Sequence, residues 1–202
     1  MQLVNLKKSY NDRSIFQNLN YTFENGKIYW LKGENGIGKS TFLRSLIGIE
    51  KFTEGQIINL PKKILYIPEV ELTEKWLTIK ENITFLYKIA AINPDPNIEI
   101  NKALNITPTD FNTMSMDCST GTNMKIGFSL LYSENHWDLI IIDEAFSHID
   151  LNTQNSLLQK LIDLSTKTNC IVIFIHHDDI SKIFDDKIIT LTLRKDGIYE
   201  SK

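Results

Sequence analysis

The run Gly33, Glu34, Asn35, Gly36, Ile37, Gly38, Lys39, Ser40, Thr41 constrains this chain more than any other stretch, because it spells a glycine, four residues and then Gly-Lys-Ser. Lys27 to Leu31, aromatic and β-branched, reads as a strand just before it, and Thr41 to Ile47 reads as the start of a helix. Strand, glycine loop and helix in that order make a phosphate cradle. The glycines let backbone N–H groups turn inward at the positive end of the helix. Lys39 is placed to reach β- and γ-phosphates, and Ser40 to put its hydroxyl on Mg²⁺. A glycine-rich turn with an incidental lysine is the plain alternative, and the flanking elements argue against it.

A chain of 202 residues, 42% hydrophobic and 23% charged, can bury one substantial core. Its net charge of −3 lacks the basic excess of a nucleic-acid footprint, so no nucleic-acid partner is expected. No apolar run approaches the ~20 residues of a membrane span, and Met1 to Tyr10 lacks a signal-peptide core. A cytoplasmic protein is therefore expected, with any membrane role reached through a partner. The two cysteines, Cys118 and Cys170, are far apart and suit a reducing compartment. Cys170 reads as a small core residue. Cys118 reads as an apolar filler, the alternative being a redox-active thiol with a lowered pKa beside a helix N-terminus.

Along the chain, Leu3 to Tyr10, Arg13 to Phe16 and Asn20 to Phe23 read as short strands, with turns at Asn11–Asp12 and Asn25–Gly26. These imply a small antiparallel sheet attached to a parallel core. Gly48 and Gly55 punctuate, and Ile64 to Ile67 is a further core strand ending at Pro68. From Glu69 to Cys118 helical signals take over. Thr78 and Glu81 form a capping box opening a helix with Ile79, Ile83, Leu86 and Ala90 on one face, which Asn93, Pro94, Asp95 and Pro96 break. Ile98 to Leu104 reads as a short helix, with Pro108 beyond. Ser119 caps another whose apolar face carries Met124, Phe128 and Leu131. Leu139 to Ile142 and Ile171 to Ile175 read as strands buried on both faces, with a helix through Leu157 to Leu164 between them. Ile188 to Leu193 is the last strand expected, turning at Asp196 and Gly197.

In open α/β sheets ligands sit at the carboxyl ends of the strands. Three strands deliver chemistry there: the glycine loop, the pair Asp143 and Glu144, and the pair His176 and His177. Asp143 suits Mg²⁺, and Glu144 suits a general base for a water attacking phosphorus. The bland alternative is an acidic pair at a solvated strand end. His176, His177, Asp178 and Asp179 would suit a metal by residue type. Adjacent strand residues face opposite ways, so one centre would not take all four.

The order of these motifs resembles the nucleotide-binding subunit of an ABC transporter over nearly the whole length. Gly33 to Thr41 matches Walker A, and Leu139 to Asp143 with Glu144 resembles Walker B and its catalytic acid. Asp150 falls at the D-loop aspartate, and His177 followed by Asp178 resembles the switch histidine, with His176 in place of a small polar residue. Tyr10 matches the aromatic that stacks on adenine; a strand tyrosine packed in the small sheet is its alternative. The resemblance implies an α/β fold: a P-loop NTPase core with a mixed central sheet, an N-terminal antiparallel β-subdomain and an inserted α-helical subdomain, the core covering about 1–68 and 134–202 and the insertion about 69–133. It also implies ATP and Mg²⁺, with Ser40, Glu69 and Asp143 as metal ligands. Glu144, His177 and Lys39 would be catalytic. ATP would be held by Tyr10, Gly33, Glu34, Asn35, Gly36, Gly38, Lys39, Ser40 and Thr41, and by Ser119 and Gly121 from an opposite subunit. A homodimer or paired subunit and a separate permease follow, with the protein peripheral at the inner face of the membrane and Trp76 a docking residue.

Three departures from the family pattern stand out. Ser119, Thr120, Gly121, Thr122 replaces Ser-Gly-Gly-Gln, after Cys118 in place of leucine. Glu69 replaces a glutamine that senses Mg²⁺ and water, and Ala145 replaces a proline. Slow or differently coupled turnover is the expectation from the first two. A soluble ATPase of the same type, as in iron–sulfur assembly, and a slow nucleotide-binding regulator are the competing functions. The end at Lys202, soon after the last strand, leaves no added regulatory domain in the expected layout and resembles small exporter or peptide-resistance systems.

Overall fold

The computed structural model describes residues 1–11, 13–93, 98–133, 135–176 and 187–201. Asp12, the Pro94–Asp95–Pro96 helix break and the trio His177, Asp178 and Asp179 lie outside the described residues. Nine strands and six α-helices are described: β1 Gln2–Tyr10, β2 Arg13–Thr22, β3 Ile28–Lys32, α1 Lys39–Leu46, β4 Glu54–Ile58, β5 Ile64–Ile67, α2 Ile79–Ile89, α3 Ile100–Ala103, α4 Pro108–Phe111, α5 Thr120–Phe128, β6 Leu139–Ile142, α6 Leu151–Thr168, β7 Ile171–Phe174, β8 Ile188–Arg194 and β9 Gly197–Ser201.

The strands form two sheets. β2-β1-β4 is antiparallel, and β5-β6-β7-β3-β8-β9 is parallel except for its last pair, β8 with β9. The expected mixed central sheet and antiparallel N-terminal sheet are both present. Several details differ from expectation, among them a strand β4 where only punctuation at Gly55 is expected. The two runs after Tyr10 join into one strand, β2, whose register against β1 slips repeatedly around Asn18 in a left-handed conformation. The chain also adds β9 after the Asp196–Gly197 turn, so β8 is not the last strand.

β6 and β7 are buried along their whole length, as apolar runs covered on both faces must be. Their side chains alternate between two cores. Ile140 and Ile142 pack with α2, α5 and α6 residues, while Leu139 and Ile141 pack with α1 and the antiparallel sheet. β3 lies between β7 and β8, so the glycine loop leaves the middle of the sheet. Between β5 and β6 the chain builds α2 to α5. Thr78 makes the capping box with Glu81 that opens α2, as expected. Left-handed corners are carried mainly by asparagine, at Asn5, Asn11, Asn18, Asn59, Asn105, Asn135 and Asn169.

Candidate active site

The loop after β3 ends in Gly38, the N-cap of α1, with φ of 104° and no side-chain cap. Any side chain at 38 would be strained and would run into Ile15 of β2. The first-turn N–H groups of α1 are therefore left for a ligand. They border a cavity of about 420 Å³ lined by Asn35, Gly36, Gly38, Lys39, Ser40, Thr41 and Glu144. Lys39 is buried, and its Nζ donates to the carbonyls of Gly33 (3.1 Å) and Glu34 (3.4 Å). Among the described residues it meets no carboxylate, so its charge is held in place by dipoles and is ready for an anion.

Asp143 follows β6 and is 3% exposed. Its Oδ1 accepts from Ser40 Oγ at 2.8 Å, and its Oδ2 accepts from Tyr66 Oη at 3.0 Å. Burial, together with the Asp143 carboxylate, pushes the Tyr66 hydroxyl's pKa up, which keeps it a donor. A serine hydroxyl beside a carboxylate, both hard oxygens next to a phosphate cradle, fits Mg²⁺. Glu69 lies exposed on the bend after β5, and no hydrogen bond or ion pair joins it to Ser40 or Asp143 among the described residues. Glu144 is left-handed, with φ of 57°, and its carbonyl accepts from Ser147 Oγ at 2.7 Å. This tight turn leaves Glu144 lining the same cavity as the glycine loop.

Tyr10 ends β1, about half exposed, with its hydroxyl bonded to Glu50. Ser119 sits elsewhere, as the N-cap of α5, accepting from the Thr122 N–H at 3.1 Å. Gly121 faces the turn after β6, where a Cβ would lie 2.5 Å from the His148 carbonyl oxygen. That close approach explains the glycine on packing grounds alone. Lys125 of α5 reaches Asp150, the N-cap of α6, at 2.9 Å. Burial raises the Asp150 pKa, but bonds from Lys125 and Thr153 outweigh it and bring it down to about 2. His176, 8% exposed, bonds through Nε2 to Gln154 Oε1 at 3.1 Å, and Gln154 Nε2 donates to the carbonyls of Phe146 and Ile149. Cys118 keeps to the apolar-filler reading. Burial and the nearby Asp110 and Asp117 raise its thiol pKa rather than lowering it, so the redox alternative falls.

Within one chain, then, the structure brings together the glycine loop, Lys39, Ser40, Asp143 and Glu144, and it sets Ser119 and Gly121 on another surface turn. Sequence reasoning missed Tyr66, Lys125, Gln154 and Glu50. Only Tyr66 carried a local signal: in a strand whose Leu65 and Ile67 face one core, Tyr66 must face the other side, where α1 lies.

The ABC transporter family profile matches residues 16–147, from β2 through the turn that holds Glu144. The chain belongs to the ABC transporter family. As such, the cassette is an Mg²⁺-dependent ATPase subunit of ABC type. Zinc import ATP-binding protein ZnuC of Rickettsia conorii is 33% identical over 196 residues, covering 95% of this chain and 82% of that protein. Spermidine/putrescine import ATP-binding protein PotA of Pasteurella multocida is 28% identical over 99% of this chain; the cassette spans 60% of the length of that relative. Among solved structures, the ATP-binding subunit of an ABC transporter superposes with a TM-score of 0.82 at 19% identity, over 100% of this chain and 89% of that one. The cassette MJ0796, solved as a dimer in a post-hydrolysis state with ADP and phosphate, also gives 0.82 at 19% identity, over 100% and 97%. At that identity the likeness speaks for the fold. No helix among the described residues is long and apolar enough to cross a membrane.

Proposed function

We propose that this cassette binds ATP between Tyr10, the glycine loop and a second copy's α5 turn, and that its opening and closing drive a permease at the inner face of the membrane. The observation that carries this reading is the 2.8 Å bond from Ser40 to Asp143 next to the cavity that Lys39 and Glu144 both line. Lys39 and the first-turn N–H groups of α1 hold the β- and γ-phosphate oxygens. Ser40 and Asp143 would hold Mg²⁺, with Glu69 as the further ligand. The metal, when bound, neutralises charge on the phosphates. Glu144 takes the proton of the attacking water, and His177, outside the described residues, orients that water. Tyr10 stacks on the base. Ser119 and Gly121 of the second copy close the site at a helix end carrying about +0.5 charge.

Residues 69–133 then form the subdomain that passes the motion on, with core 1–68 and 134–202 around it. Trp76, 74% exposed, supports a docking role there. The relatives named above serve importers, which favours uptake of a small solute. Glu144→Gln tests the reading: Mg²⁺-ATP turnover should fall about 10²–10⁴-fold while ATP now traps a dimer in size-exclusion chromatography. Unchanged turnover in that variant would remove Glu144 from its role. Absence of an ATP-trapped dimer would remove the paired site.

A further inference from the structure

Glu50 lies just past α1, outside every motif that identifies the family, yet it gathers three donors. The Tyr10 hydroxyl, Arg44 Nε at 2.9 Å and Lys8 Nζ at 3.0 Å all converge on its carboxylate. Lys8 is buried, its Nζ also donates to the Lys51 carbonyl at 2.9 Å, and it stands 4.6 Å from the centre of the Tyr10 ring. One face of that ring is thus backed by a cation while the residue remains half exposed. Although burial raises the Glu50 pKa, the bonds from Tyr10, Arg44 and Lys8 bring it down to about 2, so the carboxylate stays charged at neutral pH.

Arg44 belongs to α1, the helix whose other end forms the phosphate cradle, and Tyr10 belongs to β1 of the antiparallel sheet. A carboxylate bonded to both ties a ring in one sheet to a helix on the other. We infer that Glu50 is a positioning residue for nucleotide binding: it fixes the Tyr10 ring at a set offset from the phosphate cradle, so that base and triphosphate are met by a preformed surface. This rests on the reading of Tyr10 as the base-stacking residue. Without Glu50 the tyrosine is free to turn, and ordering it again falls on each binding event.

The test is ATP binding by calorimetry on the full chain, with steady-state kcat and KM and a melting curve for each variant. Glu50→Ala and Tyr10→Phe should each weaken ATP binding about three- to tenfold and raise KM to match, with kcat of Glu50→Ala within about twofold. The double variant should be no weaker than the worse single one, since both cut the same link. Glu50→Gln keeps an acceptor and should recover part of the loss; it also stands in for Glu50→Ala should that variant fail to fold. Folded Glu50 variants that bind ATP like the parent, while Tyr10→Ala binds poorly, would overturn the role of Glu50 alone. If Tyr10→Ala itself binds ATP normally, the stacking reading and this inference fall together.

Discussion

Lys125 Nζ lies 2.9 Å from Asp150 Oδ2, and through that pair the helix begun by Ser119 is fastened to the helix that follows the Glu144 turn. Lys125 is 7% exposed, and its ammonium also donates to the Asn105 carbonyl at 3.2 Å. Asp150 is half exposed, so the charge–charge part of the link is softened by water.

Lys125→Met should therefore cost about 1–2 kcal/mol in urea unfolding, mostly from the lost hydrogen bond and the changed packing of a buried stem. The pH dependence follows from the Asp150 pKa of about 2 in the folded chain against its ordinary 3.8. A lowered folded value stabilises the chain above the unfolded pKa and ceases to do so as pH falls through the folded one. Between pH 4 and pH 2, roughly, the parent should lose more stability than Lys125→Met, which has no pair to lose. Parallel acid titrations of the two would refute this.

Gly121→Ala should be far more damaging than Gly127→Ala. At 121 the new methyl meets the His148 carbonyl, a backbone atom, at 2.5 Å; at 127 it meets side-chain ends of Ile67 and Leu72 at 3.2 and 3.3 Å. We expect a loss of about 1–3 kcal/mol and impaired turnover for the first. The second should stay within about 1 kcal/mol of the parent. Melting temperatures of the two variants, compared side by side, decide it.

Ser40→Ala and Asp143→Asn should each raise the Mg²⁺ needed for half-maximal hydrolysis by about tenfold at saturating ATP, because the first removes a hydroxyl oxygen and the second the negative charge of the carboxylate bonded to it at 2.8 Å. ATP binding without metal should change less. A Mg²⁺ titration with either variant that overlays the parent would place the metal elsewhere.

Cys118 should react slowly with iodoacetamide at pH 7 and faster only in alkaline buffer, because burial and two neighbouring aspartates disfavour the thiolate. Mass spectrometry after timed alkylation reads this directly. Rapid labelling at neutral pH would contradict the assigned environment.

The strands of the parallel sheet, the glycine loop and the capped helices were legible because each is a local pattern: apolar runs at β6 and β7, Gly-Lys-Ser at 38–40, Thr78 with Glu81. β4 and β9 were not. β4 is largely exposed and carries Gly55 pressed against the β1 backbone, so no alternation marks it. β9 lies at the sheet edge, among the described residues pairs only with β8, and its first apolar residue is Ile198. The site divides the same way. Lys39, Ser40, Asp143 and Glu144 stand in motifs, whereas Tyr66, Lys125, Gln154 and Glu50 work through partners distant along the chain. Spacing cannot announce such pairs, because chain folding alone brings them together.

Asparagine at the left-handed corners acts on the unfolded chain as much as on the folded one. It tolerates positive φ there, and unlike glycine it keeps a Cβ that narrows the backbone states available before folding. Less conformational freedom is then given up at each corner, on a scale of about 0.4–1 kcal/mol per site. Replacing Asn59 or Asn105 by glycine would relieve the strain of a Cβ at positive φ and at the same time loosen the denatured ensemble, so the two effects oppose each other.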